Sequence, residues 1–152
     1  MKFIKKIGFF TAFILPVLVI IGFYQGGWWN FIPLGFVFII ITSIDYLTGL
    51  DTTNVSDQEA KIIGEEVYYR LVTYVWTYVQ FIFLLWAFYA VSTGLLNTTY
   101  EWIGFVISTG LVTGGIGITV AHELGHKKSR LERFYSKMLL MTVCYMHFYI
   151  EH

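Results

Sequence analysis

The chain has 152 residues, of which 57% are hydrophobic, 20% are aromatic and only 13% are charged, and its mean hydropathy is +0.65. This composition excludes an ordinary soluble domain and favours an integral membrane protein. Ten basic residues balance ten acidic ones, so no basic excess indicates nucleic-acid binding, and the single cysteine, Cys144, excludes an internal disulfide and a multi-cysteine zinc site.

The first apolar region, residues 7–44, contains no charged side chain. It follows a basic start, as in a signal peptide, but it continues past any small-residue cleavage site, so we interpret it as retained. At about 1.5 Å per residue, one helix of this length would reach roughly 57 Å, against a hydrocarbon core of about 30 Å. The chain must therefore turn, and Gly26 and Gly27, flanked by aromatic residues, mark the turn. The predicted spans are residues 7–25 and 28–44.

Two further apolar runs predict spans three and four, at residues 71–93 and 101–121. A polar segment, residues 45–70, precedes them and is interpreted as a water-exposed loop. After the last lysine, only 13 uncharged residues precede Glu151, too few to cross a membrane. This segment predicts an interfacial or re-entrant helix, or an incomplete fifth span. The predicted fold is therefore all-α and integral to the membrane, with residues 1–152 in one domain.

The basic residues all lie on one predicted side of the membrane. Four spans place both termini and the loop at 45–70 on the same face, and neither opposite loop contains Lys or Arg. The positive-inside rule therefore places this face, and the end of span four with it, in the cytoplasm. The ten basic residues are Lys2, Lys5, Lys6, Lys61, Arg70, Lys127, Lys128, Arg130, Arg133 and Lys137.

The candidate chemistry lies at the end of span four, in the sequence TVAHELGHKK, residues 119–128. Residues four apart on a helix point about 40° apart, so His122 and His126 can bind one metal ion with Glu123 beside them. All the histidines fall in the C-terminal part of the chain, and His147 lies in an apolar segment, where a polar group is costly unless paired. The pattern leaves three interpretations: a zinc protease with the glutamate as general base, an iron site that shares more histidines, or two solvated histidines at a helix end.

The C-terminal part of the sequence, AHELGHKKSRLERFYSKMLLMTVCYMHFYIEH, closely resembles the membrane-bound alkane 1-monooxygenases of the fatty acid desaturase and hydroxylase superfamily. In that family a first histidine box, His-Glu-Leu-Gly-His-Lys, is followed by a second that opens with Glu-His. The sequence DYLTGLDTTN also resembles the family's acidic loop after the second span. The matching residues are His122, Glu123, Leu124, Gly125, His126 and Lys127 in the first box, Tyr145, His147, Phe148, Glu151 and His152 around the second, and Asp45, Gly49, Asp51 and Asn54 in the loop.

The resemblance implies a six-helix enzyme of the bacterial inner membrane that inserts one oxygen atom of O2 into the terminal methyl group of a medium-chain n-alkane, giving a primary alcohol. It also implies a non-haem di-iron cofactor on the cytoplasmic side and electrons that come from NADH through a reductase and rubredoxin. On this match the metal ligands would be His122, His126 and His152. The residues that would support these ligands are Glu123, His147, Glu151, Asp45 and Asp51.

The resemblance reaches only into the second histidine box, where the sequence ends at His152. The rest of that box and the family's third box have no counterpart, and four histidines cannot satisfy two irons. We therefore expect an N-terminal portion of such an enzyme, inactive alone. The alternatives are a related di-iron hydroxylase or desaturase with another substrate, such as an alkylbenzene or a fatty acyl chain, a zinc-dependent membrane protease, and a membrane remnant that binds no metal.

Overall fold

The structure, a computed structural model, describes residues 9–48 and 67–151. Within these two ranges every regular element is helical and no β-strand occurs. The α-helices are α1 (Ile14–Gln25), α2 (Ile32–Gly35), α3 (Thr42–Thr48), α4 (Val67–Ser92), α5 (Thr99–Gly110), α6 (Gly117–Gly125), α7 (Arg130–Thr142) and α8 (His147–Glu151). The helical segments of other types are two 3₁₀ segments, Phe9–Phe13 and Gly27–Phe31, and two π segments, Phe36–Ile41 and Leu111–Ile116.

Three continuous helical segments in the described part of the chain have the length and apolar character needed to cross a membrane: Gly27–Leu47, Arg70–Ser92 and Thr99–Gly125, with 21, 23 and 27 residues. They coincide with predicted spans two, three and four. The first predicted span, residues 7–25, corresponds to a shorter apolar helix, Phe10–Gln25. The structure therefore supports a helical membrane fold with three such segments, and the total of four spans stays a prediction.

The turn between the first two helical segments lies where the glycine pair predicts it. Gly26 and Gly27 have φ values of 70° and 56°, in the left-handed region that glycine adopts without steric cost. A methyl group on Gly22 would clash with the backbone of Trp29, at 2.5 Å from its carbonyl oxygen. Glycine therefore allows both the reversal of the chain and the close approach of the two segments.

A buried carboxylate joins this turn to the loop before α5. Thr98 and Glu101 form a capping box at the start of α5, with the Glu101 Oε2 atom accepting from the Thr98 and Asn97 backbone N–H groups at 3.0 and 2.9 Å. The Oε1 atom accepts from the Gly27 N–H at 2.6 Å. The two turns therefore lie at the same end of the helix bundle, as expected for segments that alternate in direction.

Aromatic side chains fill the bundle between these turns and its other end. Phe23 of α1 contacts Trp86 of α4 and Phe105 of α5, with ring centroids 5.6 and 5.5 Å apart. Three residues after Phe105, the Ser108 hydroxyl donates to the Asn30 carbonyl oxygen at 2.7 Å. Close packing and hydrogen bonds between helices of this kind hold membrane helices together, because lipid offers little hydrophobic driving force.

The C-terminal segment, predicted as one interfacial or incomplete fifth helix, is divided into two helices. After α7 the residue Cys144 has a φ of 56°, and the Tyr145 N–H donates to the Leu140 carbonyl at 2.9 Å while the Cys144 N–H donates to Met141 at 3.2 Å. These two bonds form a Schellman motif, which ends a helix and changes the direction of the chain. The turn directs α8 back towards the end of α6.

Candidate metal centre

The two histidines of the HELGH motif face each other at the C-terminal end of α6. The Nε2 atoms of His122 and His126 are 3.0 Å apart, and the ring planes meet at 84°. Two metal–nitrogen bonds of about 2.1 Å at a right angle would also place their nitrogens about 3.0 Å apart. The pair therefore fits two neighbouring positions around one transition-metal ion when both Nε2 atoms present their lone pairs.

The glutamate between them has a different environment. The Glu123 side chain is 60% exposed. Its carboxylate forms an ion pair, 3.1 Å long, with the Nζ atom of Lys127, which follows it by four residues. Because a general base must lie within hydrogen-bond reach of the water that it activates, this orientation does not favour the role that a zinc protease would give to Glu123.

A cavity of about 200 Å³ opens beside the two imidazoles. Three helices form its wall, and both histidines belong to it. The lining residues are Ala121, His122, Gly125 and His126 from α6, Arg133, Ser136 and Leu140 from α7, and Phe148 and Tyr149 from α8. The cavity therefore combines nitrogen donors, one guanidinium group, a hydroxyl group and apolar surface.

The contact between α6 and α7 depends on small residues. The buried Ser136 hydroxyl donates to the Ala121 carbonyl oxygen at 2.6 Å, immediately before His122 in the chain. A methyl group on Gly125 would lie 3.2 Å from the Ser136 Oγ atom, which is tighter than an ordinary contact. The hydroxyl and the glycine together hold the histidine turn against α7.

Polar contacts hold α7 against the first half of α4. The Arg70 Nε atom donates to the Glu132 Oε1 atom at 2.8 Å, and the Glu132 side chain is only 3% exposed. Further along, the Gln80 amide donates to the Thr142 hydroxyl at 2.8 Å and its oxygen accepts from the Trp76 indole at 2.9 Å. The helix that carries Ser136 is thus fixed near both of its ends.

A tyrosine pair lies between these two polar contacts. The hydroxyl groups of Tyr78 and Tyr135 are 2.8 Å apart, and the Tyr135 ring packs edge-on against Tyr74. The hydrogen bond with Tyr78 raises the pKa of the Tyr135 phenol above its usual value, and burial adds to that effect. The tyrosine pair therefore adds a hydrogen bond between α4 and α7.

The other predicted site residues whose side chains the structure describes do not line the cavity. His147 is exposed on α8, where its ring lies 4.3 Å from that of Tyr145, and Asp45 is exposed on α3. Glu151 is the last residue of α8, and Asp51 and His152 lie outside the described residues. In residues 9–48 and 67–151 no group of three or more His, Cys, Asp or Glu side chains could hold a metal ion. Among the predicted ligands within these ranges, His122 and His126 lie close together.

Sequence reasoning did not single out Arg133, Ser136 or Tyr149 as part of this site. They come from helices that pack on α6 through tertiary contacts, and no local pattern distinguishes them. The role of Glu101 at the start of α5 could be predicted from the sequence, because Thr98 followed by Glu101 before an apolar run is the pattern of a capping box.

Comparisons with known proteins agree on one group of relatives. The chain is 35% identical to alkane 1-monooxygenase 2 of Alcanivorax borkumensis over 97% of its own length and 41% of the relative's. It is 32% identical to alkane 1-monooxygenase 1 of the same organism, over 90% of this chain and 35% of that one. It is 37% identical to alkane 1-monooxygenase 1 of Pseudomonas aeruginosa, over 82% of this chain and 33% of the relative's length. No protein-family model matches the chain. The chain thus spans about two fifths or less of the length of these relatives.

Proposed function

The chain belongs to the alkane 1-monooxygenase family, and on this premise we propose that it provides the first histidine box of an enzyme that hydroxylates the terminal carbon of medium-chain n-alkanes. The observation that carries the proposal is the pair of imidazole nitrogens 3.0 Å apart beside a cavity of about 200 Å³. Their position at the end of a 27-residue apolar helix supports a substrate that reaches the site from the lipid phase.

The proposed cofactor is iron, with two ions in a complete site, and its chemistry when bound is the activation of O2 for insertion into a C–H bond. Imidazole suits iron, and His122 and His126 would bind it through their Nε2 atoms. His152 is the third proposed ligand, on the sequence resemblance. Two ions need several more donors than these three residues provide.

The remaining residues of this chain would prepare the site. Ser136 and Gly125 keep α6 against α7 and so fix the backbone beside the histidines. Leu140 and Phe148 present apolar atoms to the cavity, which excludes water from part of it. The residues proposed to support the ligands in the complete enzyme are Glu123, His147, Glu151, Asp45 and Asp51.

The proposed setting is the bacterial inner membrane, with the histidines on the cytoplasmic side and rubredoxin and its NADH-dependent reductase as electron donors. Three basic residues, Lys127, Lys128 and Arg130, directly follow the histidine pair. By the positive-inside rule they favour the cytoplasmic face for this end of the helix, where a soluble electron donor has access.

Metal binding is tested by titrating the purified chain in detergent with Co²⁺, whose visible absorption reports nitrogen ligands. We expect His122→Ala and His126→Ala each to weaken Co²⁺ binding by about tenfold or more, since the loss of even a supporting residue costs 10- to 100-fold. Lys128→Gln, which changes an exposed side chain two residues beyond His126 that has no proposed role in ligand support, is the control. Unchanged affinity in both histidine variants would remove the pair from the metal site.

The reaction is tested with a chimera in which this chain replaces the matched region of the Alcanivorax borkumensis alkane 1-monooxygenase 2. Cells that produce the chimera with rubredoxin and its reductase are expected to convert octane into 1-octanol, and the same chimera with His126→Ala is expected to form none. A chimera that folds and binds iron but forms no terminal alcohol from octane or longer alkanes would contradict the proposed substrate class.

A further inference from the structure

Helix α7 presents three different surfaces around its axis. One face, with Ser136 and Leu139 at its centre, is buried against α6 and α4. At about 100° per residue, the residues outside this face separate into two further edges. The apolar edge contains Leu131, Phe134 and Met141, which are 50%, 54% and 58% exposed. The basic edge contains Arg130, Arg133 and Lys137, all exposed.

The charge of the basic edge is not neutralised along the helix. The one acidic residue in the sequence of α7, Glu132, is buried and paired with Arg70 of α4. Lys128, in the turn before the helix, is exposed and adds a further positive charge. The outer side of α7 therefore joins an apolar strip to a strip of basic side chains that has no acidic partner within the helix itself.

The contacts of α7 also indicate its tilt relative to the spanning segments. Glu132 contacts Arg70, the first residue of one spanning segment, whereas Thr142 contacts Gln80, ten residues further along it. Ten helical residues correspond to about 15 Å. Ten residues also separate Glu132 from Thr142, so α7 runs nearly parallel to this spanning segment, from the level where the segment begins to a point well within its length.

We propose that α7 extends from the membrane interface inward along α4, with its basic edge bound to the phosphate groups of anionic lipids and its apolar edge in contact with their acyl chains. Each basic residue near an anionic membrane surface adds to the attraction, and long Lys and Arg side chains reach the headgroups from positions below them. The position of Met141 near the deep end and of Arg130 at the shallow end matches this placement. Arg133 also lines the cavity beside the histidines, so the measurements below report lipid contact rather than metal binding.

Electron paramagnetic resonance measures the depth directly. Nitroxide labels are attached to Arg130→Cys, Phe134→Cys, Lys137→Cys and Met141→Cys, each in a Cys144→Gly background, in nanodiscs of phosphatidylglycerol and phosphatidylcholine. We expect O2 to relax the labels at 134 and 141 more than a water-soluble nickel complex does, and the reverse at 130 and 137. Shielding of 134 and 141 from both reagents would mean that protein covers this edge, and either that result or nickel access there would overturn the proposal.

Lipid selectivity provides an independent measurement. The variant Arg130→Gln/Arg133→Gln/Lys137→Gln is compared with Lys2→Gln/Lys5→Gln/Lys6→Gln, which removes the same charge elsewhere. We expect the association of spin-labelled phosphatidylglycerol, relative to phosphatidylcholine, to fall by about fivefold or more in the first variant, the effect of one basic residue or more. An equal effect in both variants would show a general charge effect, and it would overturn the proposal, as would no effect in the first.

Discussion

Cys144 holds its backbone at a φ of 56°, in the position of a Schellman turn that glycine most often occupies. A side chain in this conformation costs roughly 1–2 kcal/mol, and the Cys144 side chain is exposed, so little packing offsets that cost. We expect Cys144→Gly to raise the free energy of unfolding by about 1 kcal/mol. Thermal unfolding followed by circular dichroism in detergent measures the change. Cys144→Val should lower Tm, and equal Tm values for the two variants would contradict the turn.

Glu101 accepts hydrogen bonds from three backbone N–H groups, those of Gly27, Asn97 and Thr98. The change Glu101→Gln replaces one acceptor oxygen with an amide that donates, which leaves buried N–H groups without a partner. We expect a clear decrease in Tm. Glu123→Gln is the control, because that carboxylate is exposed and makes only a surface ion pair, and it should leave Tm nearly unchanged. Similar Tm values for both variants would argue against the buried link.

At the level of single residues, the sequence predicted contacts within one helix better than contacts between helices. The i, i+4 spacing is sufficient to bring His122 and His126 together. His147 was expected near them, but it is exposed outside the cavity wall. Its position depends on the left-handed turn at Cys144, and a cysteine there carries none of the usual glycine signal for such a turn.

The π segment Leu111–Ile116 interrupts the helix that leads to the histidines. A π turn inside an α-helix contains one extra residue, so removing a residue from it allows regular α-helix to form without rotating the C-terminal part of the helix. We expect deletion of Gly115, which is exposed, to preserve Co²⁺ binding within a few-fold. An alanine inserted after Ile118 adds a further residue instead, and it should weaken binding by more than about tenfold, because it rotates the histidines by about 100° relative to the preceding helix and to the other donors of the site.

The comparison of the Gly115 deletion with the insertion after Ile118 is the check. If both variants lose Co²⁺ binding equally and both fold by circular dichroism, the extra residue does not set the orientation of the histidine turn.

Among the elements, hydropathy located the apolar helices but not their ends. Span four was predicted at residues 101–121, whereas the helical segment runs over Thr99–Gly125. The helix continues past the first polar residues because its hydrogen-bond ladder does not depend on hydropathy, and Ser136 supports its last turn. The capping box at Thr98 accounts for the earlier start.

For the whole molecule, the distribution of basic residues predicts which end faces the cytoplasm. We expect alkaline phosphatase fused after Arg70 to be inactive in intact cells and the same enzyme fused after Asn97 to be active, because it folds only outside the cytoplasm. The structure supports the pairing of the ends, since the turn at Gly27 and the loop at Asn97 share the Glu101 carboxylate. Activity of the Arg70 fusion would reverse the topology.

The fold class followed from composition, but the complete donor set of the metal site did not follow from this chain. The described residues contribute two imidazoles, and the relatives are more than twice as long as the region matched. Ligands that come from distant segments meet only through tertiary packing, which a local motif does not encode. The spacing within the HELGH motif therefore predicts a pair of metal-binding side chains but neither the metal nor the number of ions.

The long sequence separation between Gly27 and Glu101 has a consequence for biogenesis. The two residues are 74 positions apart, and their contact holds the turn of the N-terminal hairpin. When the ribosome has synthesised the chain only as far as Glu101, the N-terminal hairpin has already reached the translocon, but the carboxylate that binds its turn is not yet available. The hairpin therefore enters the bilayer before α5 can stabilise its turn. We expect its lateral release to be the least stable step in the assembly of these helices.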